Sequence, residues 1–206
     1  TVISMFFGTI LALIRTYANG PFQWASALVA VYTEFFRCTP NLLWILWIYF
    51  TIKGNKIAVS VFAISLFTSA VMAEIFRGGL NSIPKGQFEA AQSQGFSFLQ
   101  TLWYIVLPQT YKKVIPALLS QVITTIKDSS YLANVATIEL MARIRQLLSA
   151  AGTYNGLGTV NVSDVMVLFG TACVIYFIIN FTLSCVVRTM QNRRRKALVF
   201  APAKAA

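Results

Sequence analysis

The chain has 206 residues, of which 57% are hydrophobic and only 11% are charged. A typical soluble domain carries roughly 25% charged residues, so this composition excludes an ordinary water-soluble fold and predicts an integral membrane protein. Lysine and arginine outnumber the acids 17 to 6, and they punctuate apolar runs, as in membrane proteins rather than nucleic-acid binders. Histidine is absent, which excludes histidine-based acid–base chemistry.

Five apolar segments are predicted to be transmembrane helices, because a span needs about 20 residues. They form one domain over residues 1–196, followed by a tail at 197–206. In chain order the predicted spans are approximately residues 1–18, 23–52, 57–77, 113–130 and 164–188. The first is short, so its helix either begins before Thr1 or continues to Asn19. The second is either one long helix kinked near Thr39–Pro40 or an interfacial elbow that leads into a spanning helix.

The distribution of cations between the loops predicts the direction of the chain. With the N-terminus outside, five spans place twelve cations on the cytoplasmic side, among them the run at 193–196. Four cations then lie outside, namely Lys53, Lys56, Arg143 and Arg145. Cytoplasmic loops of membrane proteins are enriched in lysine and arginine. The sequence therefore predicts an external N-terminus and a cytoplasmic C-terminus.

The longest cytoplasmic excursion, residues 78–112, has a pattern of its own. Good helix formers predict a short helix over 87–94, and Gly95 follows where a left-handed residue often ends a helix. Ser97 is then suited to cap a second, amphipathic helix from Phe98 to Val106. That helix is expected to end before Pro108, because the residue preceding a proline disfavours helical geometry.

The same loop carries the motif that identifies a family. Glu89, Ala90 and Ala91, then Gly95, then the run 105–108 (Ile-Val-Leu-Pro) resemble in full spacing the EAA loop of ATP-binding-cassette importer permeases. The segments 34–40, 73–79, 82–87 and 127–130 resemble the polar amino-acid uptake subfamily, of the histidine and glutamine permease type. The resemblance covers roughly residues 1 to 195. Cys38 departs from it, since glycine is expected there.

The resemblance implies a fold, a location and a set of partners. The fold is an all-α integral membrane protein of the type I importer permease class, with five transmembrane helices and a cytoplasmic coupling helix. The location is the bacterial inner membrane. The partners are a second permease subunit (an identical copy or a paralogue), two ATP-binding-cassette ATPase subunits and an extracytoplasmic amino-acid-binding protein. ATP and magnesium belong to the ATPase, so the chain itself holds no cofactor and is not an enzyme.

The resemblance also implies roles for single residues and a substrate class. Glu89 makes the polar contact to the ATPase, Ala90 and Ala91 fit a groove on it, and Gly95 provides the turn. The substrate is an amino acid, polar or charged, and the alternative is another small solute such as methionine or an osmolyte. The sequence agrees in having no phosphate-binding loop of its own.

Several polar residues near the outer ends of the last two spans are candidates for the substrate path. Asp128, with Ser129 and Ser130, either lines the path or serves a structural pair or a helix end near the membrane surface, since an ionisable group at bilayer depth is costly unless paired or functional. Glu139 lies on a predicted interfacial helix over 138–148, where it is a further candidate to contact a substrate amino group.

The remaining acids at the inner side are spaced as helical pairs. Glu74 precedes Arg77 by three residues, and Glu34 precedes Arg37 by the same distance, so each pair shares a helix face. Both are expected to be structural pairs that brace the elbow and the coupling loop rather than substrate ligands. No set of cysteines or acids has the spacing of a metal site.

Overall fold

The computed structural model describes residues 1–18, 20–135, 137–154 and 160–199, without the side chains of 152–154 and 193–199. All regular secondary structure in these ranges is helical. The helices are α1 (Val2–Tyr17), α2 (Gln23–Cys38), α3 (Asn41–Thr51), α4 (Lys56–Asn81), α5 (Lys85–Ser93), α6 (Phe98–Thr101), α7 (Leu107–Asp128), α8 (Leu140–Tyr154) and α9 (Val162–Val199). Short turns of tighter helix cover Gly20–Phe22 and Ser129–Val135, and a π-helical turn covers Leu102–Val106.

The second predicted span consists of two helices, α2 and α3, separated where the proline is. Thr39 has an extended backbone, with φ −111° and ψ 147°, as expected for a residue before proline. Its hydroxyl donates to the carbonyl of Phe35 at 2.7 Å and accepts from the indole nitrogen of Trp44 at 2.7 Å. At the break, the Thr39 hydroxyl therefore links a backbone carbonyl of α2 to the Trp44 side chain of α3.

The expectation that a helix ends before Pro108 is wrong. The chain remains helical from Phe98 to Asp128, and its π-helical turn ends at Val106, two residues before the proline. In that turn the amide of Leu107 donates to the carbonyl of Leu102, five residues earlier. A proline inside a regular α-helix clashes with the carbonyl four residues before it. The wider π turn relieves this conflict without ending the helix.

The chain divides into two compact units. The first unit comprises Thr1–Trp44 and Val61–Gln121, and the second comprises Ile45–Ser60 and the described residues from Val122 onward. The core of the first unit brings together side chains of α1, α4, the segment after α4, the π turn and α7: Ala12, Met72, Phe76, Leu80, Ile83, Leu102, Val106, Leu107, Val114 and Leu118. This core supports the loop that carries the EAA motif.

In the second unit, α8 and α9 pack against each other. Helix α8 occupies much of the predicted interfacial helix and begins immediately after Glu139. Its buried side chains include Ala142 and Ile144, whereas Ile138 and Leu147 are exposed.

Among the described residues, two helices are long and apolar enough to cross a membrane unaided. They are α4 and the part of α9 from Val162 to Asn192. Helices α1 and α3 are also apolar, with 16 and 11 residues respectively. These four helices overlap four of the five predicted spans, and α4 and α9 extend beyond the predicted bounds.

Candidate functional site

Helix α5 carries the motif residues, and its C-terminal end has the geometry that the sequence predicts. Gly95 has φ +79°, a left-handed conformation that favours glycine. Its amide donates to the carbonyl of Gln92 at 2.9 Å, and the amide of Phe96 donates to the carbonyl of Ala91 at 3.0 Å. This pair of bonds is a Schellman motif, which satisfies the last carbonyls of the helix. The prediction for the Gly95 backbone is confirmed.

The two alanines of the motif differ in exposure. Glu89 and Ala90 are exposed, whereas Ala91 is only 3% exposed. Ala91 therefore faces its own chain, where its small side chain lets α5 lie close to the rest of the first unit. The expectation that both alanines fit a groove on another protein stays a prediction, and of the two only Ala90 is exposed in the isolated chain.

Long-range contacts that are not evident from the sequence attach this loop to the first unit. The ring of Tyr17, at the end of α1, lies 5.4 Å from the ring of Phe98 and 6.4 Å from that of Phe88, measured between centroids. The side-chain nitrogen Nε2 of Gln109 donates to the side-chain carbonyl of Gln87 at 3.0 Å. The ends of α1 and α7 thereby hold α5 and α6 in place.

Helix α6 begins with the cap that the sequence predicts. The Ser97 hydroxyl accepts from the amide of Gln100 at 3.3 Å, and the Gln100 side chain accepts from the amide of Ser97 at 2.8 Å. This reciprocal capping box satisfies two amides at the helix start. The turn between α5 and α6 is consequently defined on both sides, by Gly95 and by Ser97.

Both predicted ion pairs of the first unit are present. Arg15, which belongs to neither predicted pair, joins the two. Arg77 Nη2 lies 2.8 Å from Glu74 Oε2, and Arg37 Nη1 lies 3.4 Å from Glu34 Oε1. Arg15 forms a hydrogen-bonded ion pair with Glu74, and its Nη2 lies 3.8 Å from Glu34. A signal for it was present, since Arg15 is the one charged residue in the sixteen of α1.

The candidates for the substrate path lie in the second unit and only some of them meet. Both carboxylate oxygens of Glu139 accept backbone amides at the start of α8, from Met141 at 2.9 Å and from Ala142 at 2.7 Å. The Tyr176 hydroxyl, on α9, donates to Glu139 at 3.4 Å. The side chain of Ser129 lies near the same hydroxyl and donates to the carbonyl of Ile126 at 2.7 Å.

Asp128 and Ser130, the chain neighbours of Ser129, are partly buried. Among the described residues, no hydrogen bond or ion pair reaches the Asp128 carboxylate. A cleft of about 490 Å³ lies close by, and it is lined by Ile123, Lys127, Cys173, Tyr176, Phe177, Asn180, Phe181 and Ser184. Within the described ranges, the side-chain oxygen of Asn180 is buried without a hydrogen-bond partner. The cleft thus combines an apolar wall with the cationic Lys127 and the unsatisfied side-chain oxygen of Asn180.

The described residues contain no candidate metal site. No group of three or more cysteines or acids is placed to hold a metal ion within the described residues.

Comparisons with known proteins agree with this architecture. Residues 4–196 match the family model of binding-protein-dependent transport system inner membrane components. The chain is 38% identical over 200 residues to the probable glutamine ABC transporter permease protein GlnP of Bacillus subtilis, covering 94% of this chain and 86% of the relative. It is 31% identical over 202 residues to the L-cystine transport system permease protein TcyB of the same organism, covering 94% and 81%.

A solved structure shows the same fold. It is described as the crystal structure of an amino acid ABC transporter with histidines, and it superposes with a TM-score of 0.71 at 23% identity, covering 93% of this chain and 87% of the other. The expected all-α importer permease fold is confirmed by this likeness. Because the family model covers nearly the whole chain, the protein belongs to the family of binding-protein-dependent transport system inner membrane components.

Proposed function

We propose that this chain is the membrane subunit of an ATP-driven importer of polar or charged amino acids. The observation that carries the proposal is the match to the transport family over residues 4–196, together with relatives named for glutamine and L-cystine transport. A permease for methionine or an osmolyte is the alternative within the same family. The chain works with a second permease subunit and receives its substrate from an extracytoplasmic binding protein.

ATP hydrolysis belongs to two partner ATPase subunits, which dock on helix α5. The exposed Glu89 and Ala90 are the residues available for this contact, and the left-handed Gly95 provides the turn at the end of α5. ATP and magnesium stay with the ATPase, and this chain contributes no catalytic residue. The membrane orientation that fits this docking places the N-terminus outside and α5 in the cytoplasm.

Uptake by reconstituted vesicles tests the proposal. Vesicles that contain the full complex, ATP inside and the binding protein outside should accumulate radiolabelled polar amino acids and should not accumulate methionine or betaine. Accumulation of methionine or betaine in place of polar amino acids would favour the alternative. Vesicles without internal ATP serve as the control.

Asp128 is proposed to face the substrate path, whereas Glu139 primarily caps α8. The reason is that both Glu139 oxygens already accept backbone amides, while the Asp128 carboxylate has no such bond among the described residues. Ser129, Ser130 and Glu139 then border the path rather than bind substrate charge.

The Asp128→Asn variant tests this assignment, since it removes the charge and keeps the shape. Uptake of cationic amino acids should fall by about tenfold more than uptake of neutral ones, the equivalent of one modest charge interaction. Equal loss for both classes would assign Asp128 a structural role. Asp164→Asn, which removes a partly buried acid at the start of α9, is the matched control.

A further inference from the structure

The side chain of Arg15 connects three helices of the first unit. Its Nη1 donates to the hydroxyl oxygen of Thr33 on α2 at 2.7 Å and also to Glu74 on α4. Its Nη2 lies 3.8 Å from Glu34, again on α2. The Thr33 hydroxyl accepts from Arg15 and donates its own proton to the carbonyl of Ala30 at 3.0 Å. One guanidinium therefore joins α1 to both α2 and α4.

The Arg15–Glu74 pair at the centre of this arrangement is more buried than the Glu34–Arg37 pair at its edge. The side chains of Arg15 and Glu74 are 18% and 15% exposed, whereas those of Arg37 and Glu34 are 41% and 55% exposed. Exposed ion pairs contribute little, but removal of one partner from a buried pair leaves an uncompensated charge and is costly. The Arg15–Glu74 pair is therefore the contact that holds the helices, and the Glu34–Arg37 pair is secondary.

Glu74 is held from a second side as well. Arg77 donates to Glu74 Oε2 from Nη2 at 2.8 Å and from Nε at 3.1 Å. Oε2 thus accepts from Arg77 alone, whereas Oε1 accepts from Arg15 and also from Arg77 Nε at 3.3 Å, which restricts the orientation of the carboxylate. A planar guanidinium can serve several acceptors at fixed angles, and a lysine ammonium at the same position cannot reproduce this.

This cluster lies next to the connection between the membrane helices and α5. Arg77 is in the last two turns of α4, which ends at Asn81, and α5 begins at Lys85. Two residues after Arg15, Tyr17 packs against the ring of Phe88 in α5 and the ring of Phe98 at the start of α6. The end of α1 is thereby attached to α2 and α4 through Arg15, and to α5 and α6 through Tyr17.

We propose that Arg15 is a positioning residue for energy coupling: it fastens α1 and α2 to α4 beside the α4–α5 connection, so that the three helices move as one body when α5 is displaced. The role in energy coupling rests on the proposed function. The attachment of α1 to α2 and α4 by Arg15 is a property of the chain and does not depend on that function. Arg15 touches neither the substrate nor the ATPase in this scheme.

The Arg15→Lys variant tests the fastening in the purified complex, because it keeps the charge and loses the planar fork. Amide hydrogen exchange should become roughly tenfold faster in the last turn of α1 and in the turns of α2 and α4 that contain Thr33 and Glu74, as expected for easier local opening. Exchange in α9 should not change. Arg188→Lys, the same substitution at an exposed position of α9, is the control and should leave all of these rates as they are.

The same variants in vesicles test the effect on coupling. Arg15→Lys should lower the number of substrate molecules imported per ATP by about fivefold or more, the lower range of coupling between sites, while binding-protein-stimulated ATP hydrolysis persists. Glu74→Gln should have the same effect, and the double variant should be no worse than either single one, because both remove one shared contact.

Three results would overturn the inference. They are unchanged exchange in α1, α2 and α4, a wild-type import ratio in Arg15→Lys, or failure of both Arg15→Lys and Glu74→Gln to assemble, which would make the cluster a requirement for folding alone. If wild-type vesicles import no amino acid, the proposed function falls, and the exchange experiment still decides whether Arg15 fastens the helices.

Discussion

At the scale of single residues, two adjacent glycines near the end of α4 have different environments. A Cβ atom at Gly79 would lie 2.2 Å from Cγ1 of Val114 and 3.0 Å from Cγ2 of Thr110. A Cβ atom at Gly78 would meet nothing within 4 Å. The absence of a side chain at Gly79 is therefore what allows α4 and α7 to approach closely. Gly78 has no such packing role in the isolated chain.

This contrast predicts opposite effects of the same substitution. Gly79→Ala should destabilise the protein by about 1–3 kcal/mol through overpacking, whereas Gly78→Ala should be neutral or stabilise its helix by about 0.5–1 kcal/mol. Adding Val114→Ala to Gly79→Ala should recover part of the loss, because it removes the nearest atom. The measurement is thermal unfolding of the detergent-solubilised protein. Equal stability of the two glycine variants would contradict the packing account.

At the scale of elements, the coupling loop depends on how α5 ends. The Schellman bonds of Gly95 and Phe96 and the capping box of Ser97 leave only a short connection between α5 and α6. The direction of that connection depends on the left-handed backbone of Gly95. A Cβ atom at this position would meet nothing within 4 Å, so steric space does not restrict it. A substitution at this position acts through backbone conformation and not through a clash.

Substitutions at Gly95 should therefore rank by their tolerance of left-handed geometry. Gly95→Val is expected to cost more than the roughly 1–2 kcal/mol typical of an L-residue there, because a branched side chain is the least tolerant. It should reduce import per ATP hydrolysed while the amount of protein in the membrane stays at the wild-type level. Gly95→Asn should retain most of the coupling, since asparagine tolerates this conformation. Wild-type import by Gly95→Val would remove the turn from the coupling scheme.

At the scale of the whole molecule, the proposed direction of the chain in the membrane rests on the distribution of its cations. Lys53 and Lys85 lie on either side of α4, one of the two described helices able to span a membrane alone. A membrane-spanning α4 would place them on opposite sides. The excess of cations on the side of α5 favours the cytoplasm for Lys85.

Cysteine labelling in intact cells tests this orientation. In a background in which Cys38, Cys173 and Cys185 are replaced by serine, Lys53→Cys should react with a membrane-impermeant maleimide added outside. Lys85→Cys should react only after the membrane is opened. The reverse pattern would invert the topology, and uptake assays on both variants provide the control for correct folding.

Much of the local structure could be predicted because its causes are local. The break at Thr39–Pro40, the left-handed Gly95, the cap at Ser97 and the i,i+3 ion pairs all arise within a few residues of sequence. Pro108 shows the limit of local rules. Its usual effect is to end a helix, but a π turn absorbs the conflict while the buried Val106 and Leu107 stay in the core of the first unit.

The sequence by itself determined the membrane class, the helical content, the break at Thr39–Pro40 and the motif of the coupling loop, because composition, periodicity and turn chemistry act over short distances. Only the tertiary structure decided that Ala91 is buried, that Tyr17 supports the loop and that Arg15 is shared between Glu34 and Glu74. Glu74 is 59 residues from Arg15 in the chain. Contacts of this kind depend on which helix faces meet, and that is set by packing of the whole unit rather than by any local pattern.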